Sequence, residues 1–147
     1  MIGIDRGEDG MMISTKGRYA LRIMLDLSQH VDDGYLSLTR ISEEEGISVK
    51  YLEAIVAMLN RAGMVESLRG KEGGYRLTKR PEEYTVASIV KLTERSIAPV
   101  TCLEGETNRC ERASRCLTLP MWSRLETIID EYLESVTLKD LLEHKIK

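Results

Sequence analysis

Three cysteines, Cys102, Cys110 and Cys116, stand close together in a stretch without regular period, with Arg109, Arg112 and Arg115 beside them. Thiolates are soft donors that favour iron–sulfur clusters, zinc or cuprous copper. Three donors leave one coordination position weak or exchangeable. That suits a sensor, because such an iron is open to oxygen or nitric oxide and is released when iron is scarce. Structural zinc takes four ligands, usually from Cys-x-x-Cys pairs, and the chain has none. The arginines favour thiolate over thiol, and with it metal binding and oxidation alike. A thiol redox switch is therefore a second chemistry open to the same residues. An enzyme is not indicated: there is no nucleotide fingerprint and no candidate general base. His30 and His144 form no triad pattern, and His30 reads as a cation near a helix C-terminus. Glu43-Glu44-Glu45 reads as the solvated face of a short helix.

The elements that must position the cysteines flank the irregular segment from Arg95 to Leu119. A segment of that length without regular structure is uncommon in a compact domain unless it is functional or disordered. Before it, Thr85 caps a short helix through Thr93. After it, Pro120 suits the first turn of a longer helix, in which Trp122, Leu125, Ile129, Tyr132 and Val136 form a heptad seam. Met121, Ile128 and Leu133 lie beside that seam. Two heptads are too few for a free coiled coil but enough to pack on a second copy of the chain, so the seam predicts a homodimer. The alternative is a helix that covers its own domain. Thr137-Leu138-Lys139-Asp140 resembles a capping box and opens a last helix through Leu142.

Upstream, Ala20, Met24, Leu27 and Val31 make one apolar stripe over Gly17–Val31, and Asp32-Asp33-Gly34 ends that helix. The stretch Ser37–Thr78 then reads as a winged helix-turn-helix. Ser37 caps a first helix, Gly46 breaks it, and Ser48 caps a second helix bearing Leu52, Ile55, Val56 and Leu59. Gly63 stops the second helix. Met64–Leu68 and Tyr75–Thr78 read as two strands joined by a turn rich in glycine and charge. Such a unit presents one helix to a DNA major groove and a cationic wing to the backbone or minor groove. The candidate DNA-binding residues are Ser48, Lys50, Tyr51 and Glu53 on the helix and Arg69 and Lys71 on the wing. A helical module with a hairpin that binds protein is the alternative.

The fold class is mainly α with a small β-hairpin wing and a long C-terminal dimerisation helix. Residues 1–11 read as a leader or an upstream start, 12–80 as the DNA-binding domain, and 81–147 as the cysteine loop and dimerisation region. Net charge is −3, which argues against a simple cationic nucleic-acid binder, but residues 37–80 carry eight Lys and Arg against six Asp and Glu. No apolar run reaches the length of a membrane span, and the first residues lack a signal-peptide pattern, so a cytoplasmic protein is expected.

Met12 to Ala20 (MISTKGRYA), Gly46-Ile47-Ser48 with Tyr51-Leu52-Glu53, and Arg69-Gly70 with Gly73-Gly74-Tyr75 resemble the bacterial winged-helix regulators typified by IscR, NsrR and CymR. The likeness covers Met12 to Leu142. It implies a homodimeric transcription regulator that binds a pseudo-palindromic operator in double-stranded DNA. One branch of that family ligates an iron–sulfur cluster through three cysteines before the long helix, and Cys102, Cys110 and Cys116 match them. Another branch, the CymR type, lacks the cysteines and answers to a cysteine-biosynthesis enzyme. This chain departs from the cluster-binding pattern in two ways. Seven residues separate Cys102 from Cys110, more than in the IscR type. Leu119 stands where the IscR type has a histidine ligand, and Tyr19 where the NsrR type has an aspartate. The fourth ligand is left to Glu104, Glu106, Glu111 or a small molecule.

Overall fold

The computed structural model describes residues 13–105 and 111–146. The leader, Met12, Glu106, Arg109 and Cys110 lie outside the described residues.

Six helices and one hairpin follow in the order α1 (Thr15–Gln29), α2 (Leu38–Glu45), α3 (Val49–Arg61), β1 (Val65–Leu68), β2 (Gly74–Leu77), α4 (Val86–Thr93), α5 (Leu119–Ser135) and α6 (Leu138–Leu142). Local chemistry sets most of the boundaries. Ser14, Ser37, Ser48, Thr85 and Thr137 each occupy an N-cap, and each side chain accepts a backbone N–H from the first turn. Gly46 ends α2 in the left-handed region at φ 67°. The capping box at Thr137 is complete, with Asp140 N–H donating to Thr137 Oγ1 at 3.1 Å and Thr137 N–H to Asp140 Oδ2 at 3.0 Å.

The winged helix-turn-helix expected over 37–78 is present. Leu52, Ile55, Val56 and Leu59 of α3 are all buried, against Ala20, Ile23, Met24 and Leu27 of α1 and Ile41 of α2. β1 and β2 pair antiparallel from Val65 opposite Leu77 to Leu68 opposite Gly74. A third segment joins the hairpin. Leu36 N–H donates to the Tyr75 carbonyl at 2.9 Å, and Tyr75 N–H to the Leu36 carbonyl at 2.8 Å. The approach needs a bare backbone. A Cβ on Gly74, whose φ is 153°, would stand 2.8 Å from Ser37 N and nearer still to the Leu36 carbonyl. Tyr84 locks the base of the wing: its hydroxyl donates to the Met64 carbonyl at 2.8 Å and accepts from Thr78 N–H and Lys79 N–H.

The core does not stop at residue 80, since Tyr84, Ile89 and Leu138 pack into the same cluster as α1–α3. A second cluster of Val86, Val90 and Val136 gathers Ile13, Leu21, Ile97, Leu133 and Leu141 around it.

Two expectations about helix ends need correction. α1 begins at Thr15 and ends at Gln29, so Val31 leaves the apolar stripe, is 49% exposed, and is replaced inside by Ile23. Val136 does not continue the α5 seam. It caps the helix in extended conformation, is buried, and its carbonyl accepts from Val86 N–H at 2.8 Å. That pairing and the neighbouring Thr85–Thr137 bridge tie α6 to the start of α4, and they outcompete another helical turn.

Candidate nucleic-acid interface and cysteine loop

The N-terminal turn of α3 is open to solvent. Ser48 Oγ accepts from Tyr51 N–H at 3.2 Å, and Ser48, Lys50, Tyr51 and Glu53 are all exposed. Tyr51 stands edge-on to Tyr19 of α1, with ring centroids 5.6 Å apart, and the Arg22 guanidinium lies 5.3 Å from the Tyr19 ring. The recognition helix therefore leans on α1 through aromatic contact, which fixes the direction in which Tyr51 projects. Arg69 and Lys71 are exposed in the turn between β1 and β2.

Charge pairing sorts the cations of this face. Arg22 is paired with Glu45, Arg40 with Glu44 and Arg76 with Glu66. Arg76 also covers the Tyr35 ring at 4.4 Å. Lys50, Arg69 and Lys71 make no ion pair among the described residues. These three are available to meet phosphate, although the chain as a whole is acidic.

The cysteine loop carries two short 3₁₀ turns, Thr101–Leu103 and Ala113–Arg115. Cys102 lies in the first and Cys116 directly after the second, both half-buried and outside any disulfide. Cys116 Sγ lies 3.3 Å from Thr118 Oγ1. Hydrogen bonding from the Thr118 side chain, then from its backbone, holds the Cys116 thiol below the usual thiol range, and Arg112 adds a smaller contribution. The arginines expected to lower the thiol pKa are thus secondary to a neighbouring hydroxyl and amide. Of the carboxylates considered as a fourth ligand, Glu104 is half-buried and Glu111 exposed. Leu119 is the first residue of α5, and Tyr19 is committed to Tyr51.

The loop is joined to the start of α1 by a residue that sequence reasoning passed over. Glu94 caps the end of α4, and its Oε1 accepts from Ser14 N–H at 2.9 Å and Ser14 Oγ–H at 2.6 Å. Ser14 in turn caps α1, receiving Gly17 N–H at 3.1 Å. Only a glycine at 17 admits this contact, since a Cβ there would lie 3.0 Å from Thr93 Oγ1 and closer to the Glu94 carboxylate.

α5 leaves its apolar side uncovered. None of its 17 residues is buried. Met121, Ile128 and Tyr132 are 54%, 45% and 44% exposed, and with Leu125 they form one stripe at helical spacing. Trp122 and Ile129, half-buried, flank that stripe, and Leu133 turns inward to the second cluster. The opposite side is fixed to α4 by Lys91, which pairs with Asp130 and with Glu134 at 3.3 Å.

His144 is exposed in the tail, as expected, whereas His30 and the glutamate run differ from expectation. His30 does not simply face a helix dipole: Asp26, Asp33 and Glu44 surround it. Glu43 is solvated, but Glu44 and Glu45 are engaged by Arg40 and Arg22. Among the described residues no helix is long and apolar enough to cross a membrane.

Comparison with known proteins gives a consistent result. The family description "Rrf2: Iron-dependent Transcriptional regulator" matches residues 13–144. The HTH-type transcriptional regulator IscR of Aliivibrio salmonicida is 38% identical over 132 residues, spanning 90% of this chain and 77% of the relative. The solved structure of T. potens IscR superposes with a TM-score of 0.72 at 36% identity, covering 92% of this chain and 88% of that one. That of CymR, the global cysteine regulator of B. subtilis, gives 0.75 at 37% identity, covering 91% and 98%.

Proposed function

The chain belongs to the Rrf2 family of transcriptional regulators and is a DNA-binding regulator of the winged-helix type, and from that premise we propose that it acts as a cytoplasmic homodimer whose operator affinity is set by an iron–sulfur cluster on Cys102, Cys110 and Cys116. The observation that supports the dimer is α5, a 17-residue helix with no buried residue and one continuous apolar stripe. Soluble monomers rarely expose such a stripe, and the two-fold partner of a C2 dimer covers it with the same residues. The dimer presents two α3 helices and two wings to a pseudo-palindrome with half-sites one helical turn, or a multiple of it, apart.

Each half-site contact divides into two kinds. Arg69 and Lys71 neutralise phosphate or enter the minor groove. The first turn of α3 offers Ser48, Lys50 and Tyr51 to phosphates and base edges, and Glu53 accepts from a cytosine amino group.

The donor set fits a cluster. Two of its members are half-buried, and Cys116 is biased toward thiolate by Thr118. When bound, the cluster supplies an iron that reacts with oxygen or nitric oxide. The chain supplies the connection from there. The cysteine loop begins at Glu94, Glu94 holds the start of α1 through Ser14, and α1 props Tyr51 through Tyr19. The loop ends at α5, which sets the separation of the two α3 helices. Ordering the loop therefore biases both the tilt of α3 and the half-site spacing, by about 1–3 kcal/mol on typical allosteric scales.

Protein purified without oxygen tests the reading. It should be brown, contain iron and acid-labile sulfide in comparable amounts, and lose the colour on Cys102→Ala, Cys110→Ala or Cys116→Ala while keeping its helical circular dichroism. Colourless protein with stoichiometric zinc would overturn the cluster and leave the DNA-binding regulator.

A further inference from the structure

A second constellation lies away from the cysteines, where the C-terminal end of α1 meets α2. Asp26 is an acid inside the apolar face of α1, with its side chain 2% exposed. One of its oxygens, Oδ2, meets no hydrogen-bond donor among the described residues. His30 Nε2 lies 3.4 Å from Asp26 Oδ1 and 3.6 Å from Glu44 Oε2. The three ligand atoms that Asp26, His30 and Glu44 offer all fall within 4.8 Å of one another.

Distances of 3.4 and 3.6 Å can belong to an ordinary ion pair, so the surroundings decide. His30 Nδ1 is 2.7 Å from Asp33 Oδ2. With Nδ1–H donating to Asp33, the neutral ring would turn its Nε2 lone pair toward Asp26 and Glu44, the carboxylate–histidine arrangement that orients metal-ligating imidazoles. Glu44 is divided in the same way: Oε1 accepts from Arg40 Nε at 3.1 Å while Oε2 faces His30. Two of the three donors thus have their outer atoms held by a second residue. Bonds of about 2.0–2.2 Å to nitrogen and oxygen in a tetrahedral site put neighbouring donors roughly 3.3–3.6 Å apart, which matches the two distances.

Charge points the same way. Asp26, Asp33 and Glu44 surround one imidazole, and among the described residues the one cation paired with these groups is Arg40, on the outer oxygen of Glu44. Glu45 adds negative charge near Asp26, although Arg22 pairs with it. A buried carboxylate with an oxygen lacking a donor, facing a second carboxylate, requires a proton or a cation between them.

We propose that Asp26, His30 and Glu44 bind one divalent transition-metal cation of the zinc class, clamping the end of α1 to α2. One imidazole with two carboxylates selects borderline cations over Mg2+ and Ca2+, which take all-oxygen sites. Glu44 leaves the site open to solvent on one side, so water completes the coordination. Asp33 is a positioning residue, acting through His30. The site does not depend on the cysteines or on the DNA reading.

The test is a calorimetric titration of Zn2+ into the full chain carrying Cys102→Ser, Cys110→Ser and Cys116→Ser, which removes competing thiolates. One Zn2+ per chain should bind and raise the thermal midpoint. His30→Gln and Glu44→Gln should each weaken binding by about 10-fold or more, and Asp33→Asn by about 10-fold, the usual effect of losing an outer partner. Mg2+ should not compete. Glu44 is exposed, so its variant keeps the fold, and circular dichroism verifies each protein. Mn2+ titrated into the wild-type chain and followed by electron paramagnetic resonance repeats the test without changing the cysteines, and Glu44→Gln should abolish that signal change. No Zn2+ binding at ~100 μM, far weaker than zinc sites of this kind, or binding indifferent to both His30→Gln and Glu44→Gln, would overturn the proposal.

Discussion

Gly74→Ala should damage the wing selectively, and its cost can be worked from contacts. The new Cβ would lie 2.8 Å from Ser37 N and nearer to the Leu36 carbonyl, both backbone atoms that no rotamer change can move. Relief requires Leu36 to separate from Tyr75, which gives up the two hydrogen bonds of 2.8 and 2.9 Å between them. Each contributes about 0.5–1.5 kcal/mol. An alanine held at φ 153° adds about 1 kcal/mol of backbone strain. The sum is about 2–4 kcal/mol, a large part of a domain's total of roughly 5–15 kcal/mol but not enough to unfold it. Gly70→Ala is the control. Gly70 has φ 108° with nothing within 4 Å of its missing Cβ, so only the strain should appear. Urea unfolding by circular dichroism gives the two free energies, and hydrogen exchange at the Leu36 and Tyr75 amides reports the bridge. Operator binding should fall with Gly74→Ala, because the bridge aims Arg69 and Lys71. Equal stability of the two variants, with the Leu36 and Tyr75 amides still protected, would refute this account of how the wing is anchored.

Leu125→Glu with Ile128→Glu should give monomers or insoluble protein by light scattering, since both residues lie on the exposed stripe of α5; a wild-type monomer at micromolar concentration would contradict the dimer. Arg69→Ala should weaken operator binding by about 1–3 kcal/mol, while Lys71→Ala should lower affinity for every sequence and reduce the salt slope by about one, both read by fluorescence anisotropy at several salt concentrations. Asp26→Asn should change the pH dependence of stability. Burial, then Glu44, pushes the Asp26 carboxyl up from 3.8 to about 7, with Glu45 adding to the shift and His30 opposing it, while Glu44 is lowered. The folded state therefore holds a proton that the unfolded chain releases, and wild-type stability falls as pH rises from about 4 through 7. In chelator, Asp26→Asn should match wild type near pH 5 and exceed it at pH 8 by about 1–3 kcal/mol, because a buried charge is gone. Lower stability than wild type at pH 8 would contradict the shift.

How far the sequence could be read follows from the range of each interaction. The caps at Ser37, Ser48, Thr85 and Thr137 are contacts within three residues, so residue type announces them. The α3 core face was equally legible, because Leu52, Ile55, Val56 and Leu59 keep one period and all are buried. Non-local pairings were not. Nothing around Leu36 signals that it pairs with Tyr75, and nothing at Val136 signals that its carbonyl is taken by Val86. The heptad reading of α5 chose Trp122 and Ile129, whereas the outward stripe runs through Met121 and Ile128, one position over. Local spacing allows both, and the Lys91 pairs with Asp130 and Glu134 decide the rotation. Asp26 carried a signal, an acid between Leu25 and Leu27 inside an apolar helix, but its partners Glu44 and Glu45 come from the next helix. Glu94 carries no local signal, and only the fold brings Ser14 to it.

Whether the cysteine loop controls DNA binding is decided by operator affinity with and without the cluster. Operator affinity is measured by anaerobic anisotropy on a single brown preparation, before and after the cluster is removed by an iron chelator, with Cys116→Ala alongside. A change of about 5- to 150-fold on removal, with Cys116→Ala fixed at the stripped value, is the predicted result. Identical affinity in all three samples would contradict it.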